Sequence, residues 1–522
     1  GAVVFASGFA EEKDGLDFSI RLEKVAGDLP FIGPNCYGFV NFFDRVALWP
    51  DQVTGEFINR GVAFIAQSGT IAITVMGQRR SLPLGYVITL GNQQRLAAED
   101  IIRFTAADER VTAIGLYLEQ INDLSKFIDA VDFARSKGKP IVLIKAGITH
   151  KARLAAKTHT GAMTGSDSLH DSLFERIGIA RCENLSSLVE TLKILHFYSP
   201  LRSNKVLVLG ASGGDMAMVS DLSKDYDLDF SAIPRKESKA LENYVGDRVK
   251  IKNPLDIQTA TWFDYIKLRK MFDVLLSCDY ALIAFVVDPQ DEITADTESF
   301  DRAIEIFIEA VRLRSNYTRA ALMSSLPESL SKITREKCFK NGIVPLQGLP
   351  ESLEALHQSS KIRKIWNEWS LPKIFSPKKN YSSSKTLNEY ESKKLLAKYG
   401  FNIPRSFLVT SEKVLEAAKE ICYPVVLKAV NSDILHKTEA NGVKLNLNTE
   451  SDVNFALSKM KGISDYFLVE EMITESVAEF ILGVTLDNQF GLTITIGAGG
   501  IFTELIEDKT TLLLPVLRRH VS

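Results

Sequence analysis

The apolar positions of this chain come in short runs, each closed by a turn or loop and followed by a stretch of helical periodicity. Runs at 62–66, 86–90, 113–118 and 140–145 behave this way, so residues 57–200 predict alternating strands and helices in a doubly wound parallel sheet. The pattern repeats over residues 201–368, with runs at 205–209, 280–287 and 320–323. The run at 280–287 is apolar throughout, as a strand covered on both faces must be. Ahead of these lie a strand at 2–6 and a helical segment ending near Ala26. Behind them the character changes. Residues 386–522 give a helix over 387–399, strands at 424–428 and 467–469, and the turn Gly497-Ala498-Gly499-Gly500. Between the two parts, residues 369–385 are polar, with two prolines and a serine run, and read as a linker.

Length agrees with this division. At 522 residues the chain needs several domains, because single cores rarely grow past roughly 250–300 residues. A hydrophobic fraction of 45% with 24% charged residues is that of a soluble globular protein. The net charge of −3 gives no footprint for nucleic acid or an anionic membrane. Apolar runs are too short to span a bilayer. Five scattered cysteines without a CxxC pair fit a reducing cytoplasm. Both ends read as cut, since the chain opens inside a strand and stops at Ser522.

Candidate chemistry gathers at strand ends. The run at 140–145 leads to Lys157-Thr158-His159-Thr160-Gly161-Ala162-Met163-Thr164-Gly165-Ser166-Asp167, a histidine on a Gly/Thr loop with helix-capping residues beyond it. Such a loop belongs on the carboxyl edge of a sheet, where open α/β folds bind ligands. A histidine there can be a nucleophile, base, metal ligand or solvated side chain. The run at 113–118 ends in Glu119, on the same edge. Ser68-Gly69 and Ser212-Gly213-Gly214 each sit between a strand and a helix, where free N–H groups and the helix dipole favour an anion. Gly210-Ala211-Ser212-Gly213-Gly214 also satisfies G-x-S-x-G, and Asp256 and His357 follow in hydrolase order, so a serine esterase is an alternative. No GxxxxGK[ST] occurs, which excludes a P-loop.

Taken in order, these stretches resemble the NDP-forming (ADP-forming) acyl-CoA synthetases, relatives of succinyl-CoA synthetase. The His159 loop is similar to that family's phosphohistidine loop, and Gly-x-Tyr-x-Glu119 to the strand carrying the histidine's carboxylate partner. The Gly8-Phe9-Ala10-Glu11 and Gly33-Pro34-Asn35 segments are similar to part of its CoA-binding Rossmann domain, and Ser432 to Thr438 with Gly442-Val443 to its ATP-grasp domain. The resemblance implies an α/β architecture: part of a CoA-binding domain at 1–50, two flavodoxin-like ligase domains at 57–200 and 201–368, the linker at 369–385, and part of an ATP-grasp domain at 386–522. It further implies His159, Glu119 and His436 as catalytic, and Ser68, Gly69, Ser212, Gly213 and Gly214 on phosphate. Phe5, Ala6 and Ser7 would lie near CoA; Lys428, Glu470, Glu471 and Met472 on ATP; Glu504 and Asp508 on magnesium. The implied reaction is reversible acid–CoA ligation with ATP or ADP, CoA, phosphate and a small carboxylic acid, in a cytoplasmic homo-oligomer, a dimer. A regulatory protein acyltransferase and a non-catalytic CoA or nucleotide sensor of the same family are the other readings.

Overall fold

The computed structural model describes residues 1–12, 15–147, 167–245, 249–289, 297–314, 318–368, 386–430, 442–460, 462–487, 489–500 and 509–516. The linker at 369–385 lies outside them. Two compact units result: Gly1–Ser376 with Val484–Ile494 and Thr511–Ser522, and Pro377–Gly483 with Thr495–Thr510.

The first unit opens with β1 (Ala2–Val3), α1 (Leu16–Ala26) and β2 (Phe31–Ile32), the two strands pairing in parallel. Next come β3 (Phe39–Asn41), β4 (Val46–Leu48), β5 (Gly61–Ala66), α2 (Gly69–Met76), β6 (Leu84–Thr89), α3 (Ala98–Ala107), β7 (Val111–Leu118), α4 (Leu124–Ser136), β8 (Ile141–Lys145), α5 (Asp167–Arg176) and β9 (Ala180–Arg181). Their strands form one sheet in the order β4-β3-β6-β5-β7-β8-β9, parallel from β6 to β9. Counting from β5, the parallel part reads 2-1-3-4-5, the flavodoxin order. All six residues of β5 are buried, as a strand covered by helices on both faces must be.

The edge of this sheet departs from the sequence reading. Strands β3 and β4, drawn from the stretch read as CoA-binding domain at 1–50, add antiparallel to β6. Asn41 sets the turn between them, its side-chain oxygen accepting from Phe43 N at 3.0 Å and Asp44 N at 3.1 Å. Strands of three residues carry too little periodicity to be assigned to a sheet in advance.

After α6 (Leu185–Tyr198) a second sheet is built from β10 (Val206–Gly210), α7 (Gly213–Leu222), β11 (Leu255–Asp256), α8 (Tyr265–Leu275), β12 (Leu282–Val286), α9 (Thr297–Arg312), β13 (Ala320–Ser324), β14 (Val344–Gln347) and α10 (Leu349–Asn367). Its order, β11-β10-β12-β13-β14, is the same 2-1-3-4-5, all parallel. Helix α6 belongs to both sheets: Leu192 packs in the core of the first and Ile194 in that of the second.

A buried polar network accompanies that apolar seam. Glu190 and Lys193 of α6 have fully buried side chains and pair at 2.7 Å. Arg80 reaches Glu190 at 2.8 Å and the Gln347 carbonyl at 2.8 Å, while Gln347 N donates to the other Glu190 oxygen at 3.1 Å. Lys193 donates to the Arg80 carbonyl at 3.0 Å. One carboxylate thus ties the loop after α2 to the end of β14.

The second unit has a sheet in the order β15 (Ser406–Thr410), β18 (Tyr466–Glu471), β16 (Val425–Val430), β17 (Val443–Leu447), all pairs antiparallel. Helices α11 (Glu389–Lys398), α12 (Val414–Ile421) and α13 (Glu450–Lys459) accompany it. Val414, Ala418, Leu427 and Val469 lie in its core. A further three-stranded sheet orders β19 (Phe480–Asp487), β20 (Gly491–Ala498) and β21 (Lys509–Leu513). Among the described residues no helix is long and apolar enough to cross a membrane.

Removing Glu190 strands two cations, one of them wholly buried. Glu190→Ala is expected to cost the first unit about 3–5 kcal/mol in chemical denaturation. A loss below about 1 kcal/mol would mean that water or another carboxylate takes its place.

Candidate active site

In a 2-1-3-4-5 sheet the chain leaves the first strand to opposite sides, opening a crevice between the carboxyl ends of strands 1 and 3. In the first sheet these are β5 and β7, so the crevice is flanked by Gln67-Ser68 and Glu119. Ser68 is the N-cap of α2, its hydroxyl accepting from Ile71 N at 3.4 Å. Gly69 is required here: a Cβ on it would stand 2.0 Å from the Tyr37 ring, so the aromatic presses directly on the helix start. No acidic residue occupies the first turn of α2, leaving its positive end uncompensated.

Glu119 follows β7, its backbone N–H donating to Gln67 Oε1 at 2.8 Å; Gln120 N donates to the same oxygen at 3.1 Å. Glu119 Oε2 is buried and has no hydrogen-bond partner among the described residues. On the next strand, buried Lys145 donates to the Glu119 and Ala146 carbonyls, both at 2.7 Å. Burial, with Arg181 nearby, pushes Lys145 down to about 8. Gln67, Glu119 and Lys145 therefore stand side by side at the carboxyl ends of β5, β7 and β8, the last of which leads along the chain toward His159. His159 itself lies outside the described residues.

The second sheet repeats the geometry with other chemistry. Ser212 caps α7, accepting from Asp215 N at 3.2 Å. Here carboxylates crowd the helix start. Asp256 Oδ2 would be 3.1 Å from a Cβ on Gly213, and Asp215 occupies the first turn, bonded to Ser325 Oγ at 3.2 Å. Acids at this point offset the helix dipole that an anion would use. The esterase arrangement is absent among these bonds: Asp256 Oδ1 accepts from Gln258 N, and His357 Nδ1 from Asp227 N at 3.2 Å.

Phe5, Ala6 and Ser7 are exposed in the segment after β1, with the Ala6 carbonyl accepting from Asn35 N at 2.9 Å. The loop through Asn35 presses on the next strand end, where a Cβ on Gly91 would meet the Pro34 carbonyl at 2.2 Å.

In the second unit Lys428 is enclosed by acids. Its Nζ lies 2.6 Å from Glu389 and 2.7 Å from Glu470, and Lys393 bridges the same two carboxylates at 3.0 and 2.6 Å. Glu470 is 2% exposed, so this ion cluster forms the base of the sheet. Glu471 accepts from Arg405 Nε at 3.2 Å, and Met472 N donates to the Pro424 carbonyl at 3.1 Å. His436, Glu504 and Asp508 lie outside the described residues. Among those described, no group of three or more His, Cys, Asp or Glu side chains is placed to hold a metal.

Sequence reasoning missed Gln67, Tyr37, Lys145 and Glu389. Gln67 directly precedes Ser68 in the strand–turn–helix unit, and an amide before an N-cap serine was the available signal. Glu389 gave only a helical i,i+4 spacing to Lys393, since its other partner, Lys428, is 39 residues away.

With this geometry in place, the comparisons are direct. Residues 59–195 match the succinyl-CoA ligase like flavodoxin domain, and residues 379–522 an ATP-grasp domain. A 4-hydroxybutyrate–CoA ligase (ADP-forming) of Nitrosopumilus maritimus is 27% identical over 100% of this chain and 77% of its own length. An acetate–CoA ligase (ADP-forming) of Methanocaldococcus jannaschii is 28% identical over 99% of this chain and 76% of its own. The fold is shared with dinucleotide forming acetyl-coenzyme A synthetase 1 of Ca. Korarchaeum cryptofilum, solved with phosphate and ADP, at a TM-score of 0.58 and 22% identity over 70% of this chain and 78% of that one. A flavodoxin-type strand edge joined to an ATP-grasp domain is the make-up of a nucleotide-driven ligase. The chain belongs to the ADP-forming acyl-CoA synthetases, in the superfamily of succinyl-CoA synthetase.

The Lys428 cluster makes a pH prediction. Burial alone would raise Glu389, but hydrogen bonds from Lys428 and Lys393 outweigh it and hold the carboxyl at about 2, below its ordinary 4.5. A depressed acid stabilises the fold above its unfolded value and loses that contribution as pH falls from about 4.5 toward about 2. Thermal unfolding followed across this window should show the loss in wild type and a flatter profile in Glu389→Gln.

Proposed function

We propose that the protein is an acid–CoA ligase that couples thioester formation or cleavage to ATP, ADP and phosphate through an acyl phosphate and a phosphohistidine on His159. In the cleavage direction a phosphate oxygen attacks the thioester carbonyl, the C–S bond breaks, and CoA leaves as acyl phosphate forms. His159 then attacks phosphorus; the P–O bond breaks and the free acid departs. Neutral imidazole suits this step, being nucleophilic near neutral pH and forming a labile P–N bond. His436 relays the phosphoryl group to ADP bound by Lys428 and the 470–472 segment. Magnesium on Glu504 and Asp508 would offset nucleotide charge during that transfer.

The observation that carries this reading is the buried, unpartnered oxygen of Glu119 at the crevice between β5 and β7. A buried carboxylate oxygen lacking a donor costs about 1–3 kcal/mol or more, so a donor is expected in the working enzyme. An imidazole N–H meets that need, and the carboxylate stabilises the cationic ring formed on phosphorylation. The N-termini of α2 and α7 would face the phosphoryl oxygens, with α2 the stronger because no acid shares it. The segment through β2 supplies part of the CoA-binding domain, with Phe5, Ala6 and Ser7 near the nucleotide of CoA. The protein works in the cytoplasm as a homodimer. The acyl group is a small carboxylic acid, to be identified from a panel that includes acetate and 4-hydroxybutyrate.

Incubation with γ-labelled ATP and magnesium should place an acid-labile, base-stable phosphate on His159, and His159→Ala should abolish both label and turnover. His436→Ala should lose label from ATP yet accept it from acyl-CoA plus phosphate. Lys428→Ala should weaken nucleotide binding and spare the acyl-phosphate half-reaction. An unlabelled wild type would overturn the phosphohistidine reading in favour of a sensor.

A further inference from the structure

Gln67 carries an unusual pair of facts. Its side-chain oxygen accepts two backbone N–H groups, from Glu119 at 2.8 Å and Gln120 at 3.1 Å. Only an oxygen can accept two donors, so the amide orientation is fixed and its NH2 must face away from the β7 backbone. Yet the residue is only 4% exposed, and Gln67 Nε2 is buried without a partner among the described residues. Leaving such a donor unmet costs about 1–3 kcal/mol. A hydrophobic residue there would avoid that cost but forfeit the two bonds to β7.

Position gives the empty donor a meaning. Gln67 immediately precedes the N-cap of the eight-residue helix α2, whose Gly69 and Thr70 N–H groups have no intramolecular acceptor among the described residues. The Tyr37 ring walls one side of this helix start. At the corresponding place in the second sheet the residue before the cap is Ala211, and carboxylates of Asp215 and Asp256 flank the helix. The two crevices share a topology and differ in chemistry: at the first helix start the unmet groups are donors, with Glu119 the carboxylate across the crevice, whereas at the second two carboxylates stand against the helix start itself.

We propose that Gln67 is a phosphate-binding residue, its Nε2 donating to an oxygen of inorganic phosphate or a phosphoryl group held at the N-terminus of α2. The inference deepens the proposed ligase function and rests on it for the identity of the anion. Its recognition logic is that of a neutral, rigid donor. The amide adds a hydrogen bond without adding charge, so it does not compete with His159 for the phosphoryl group as a lysine would by trapping it electrostatically.

The test is equilibrium binding of inorganic phosphate to the full chain, with ADP affinity measured alongside. Gln67→Glu keeps both acceptor bonds to β7 and removes the donor; Gln67→Met removes donor and acceptor without introducing charge. Both should weaken phosphate binding at least tenfold while ADP affinity stays within twofold. Phosphate affinity unchanged in either variant overturns the proposal, as does loss in Gln67→Glu alone, which would be simple charge repulsion. Wild type that binds no phosphate at millimolar concentration overturns it too. Phosphorylation of His159 from ATP is scored separately: if His159 takes label while Gln67→Glu binds phosphate normally, the ligase reading stands and the role of Gln67 falls.

Discussion

The architecture of the first unit hangs on the carboxylate of Glu190. Its side chain is fully buried, and it accepts from Lys193 on its own helix, Arg80 after α2 and the backbone of Gln347 at the end of β14. Two charges of one sign and one of the other, out of water, are stable only if every one is hydrogen-bonded. Lys193 and Arg80 satisfy this by also reaching the Arg80 and Gln347 carbonyls. Such a network adds less net stability than an apolar seam would, but it admits one register between its partners. The apolar seam of α6 brings the sheets together, and Glu190 fixes how they meet. Both crevices lie at strand ends whose separation follows from that register.

Placed this way, two flavodoxin-order sheets present two helix N-termini with unlike surroundings. At the first, Gln67, Glu119 and Lys145 are linked through one backbone segment: Gln67 accepts from Glu119 N, and Lys145 donates to the Glu119 carbonyl. Fixing this backbone fixes where the carboxylate of Glu119 can point. Preorganised polar groups with unfilled valences are costly in a core and useful in a site that receives a charged group, because no reorganisation is needed when the charge arrives. Lys145 adds a positive group whose ammonium form burial disfavours, pushed down to about 8. In the second unit the same economy does not apply: Lys428 is satisfied twice over by Glu389 and Glu470, so a nucleotide phosphate meets a lysine already in company.

Much of this was legible along the chain. Apolar runs located β5, β7, β10 and β12, and the Ser-Gly turns closing β5 and β10 located the caps Ser68 and Ser212, because those signals are local: continuous burial and a side chain bonding three residues ahead. Glu119 was legible as a strand end. What stayed hidden is what depends on distant partners. The edge strands β3 and β4 are too short for a period to show, and their place is set by pairing with β6. Gln67 owes its role to donors more than fifty residues away, and Asp256 its place beside Gly213 to β11 lying next to β10. His159, His436, Glu504 and Asp508 were proposed from sequence and lie outside the described residues.

The central claim is that the β5–β7 crevice serves an enzyme-bound phosphoryl intermediate. Isotope exchange between ADP and ATP, with neither CoA nor carboxylic acid present, tests that claim most directly. A phosphoenzyme permits exchange, because the phosphoryl group can leave ATP, wait on the protein and return to labelled ADP. The account predicts exchange by wild type under these conditions, with label carried on His159 that Glu119→Ala loses. Exchange that appears only when CoA and the acid are both added would mean direct transfer without a phosphorylated protein, and would contradict it.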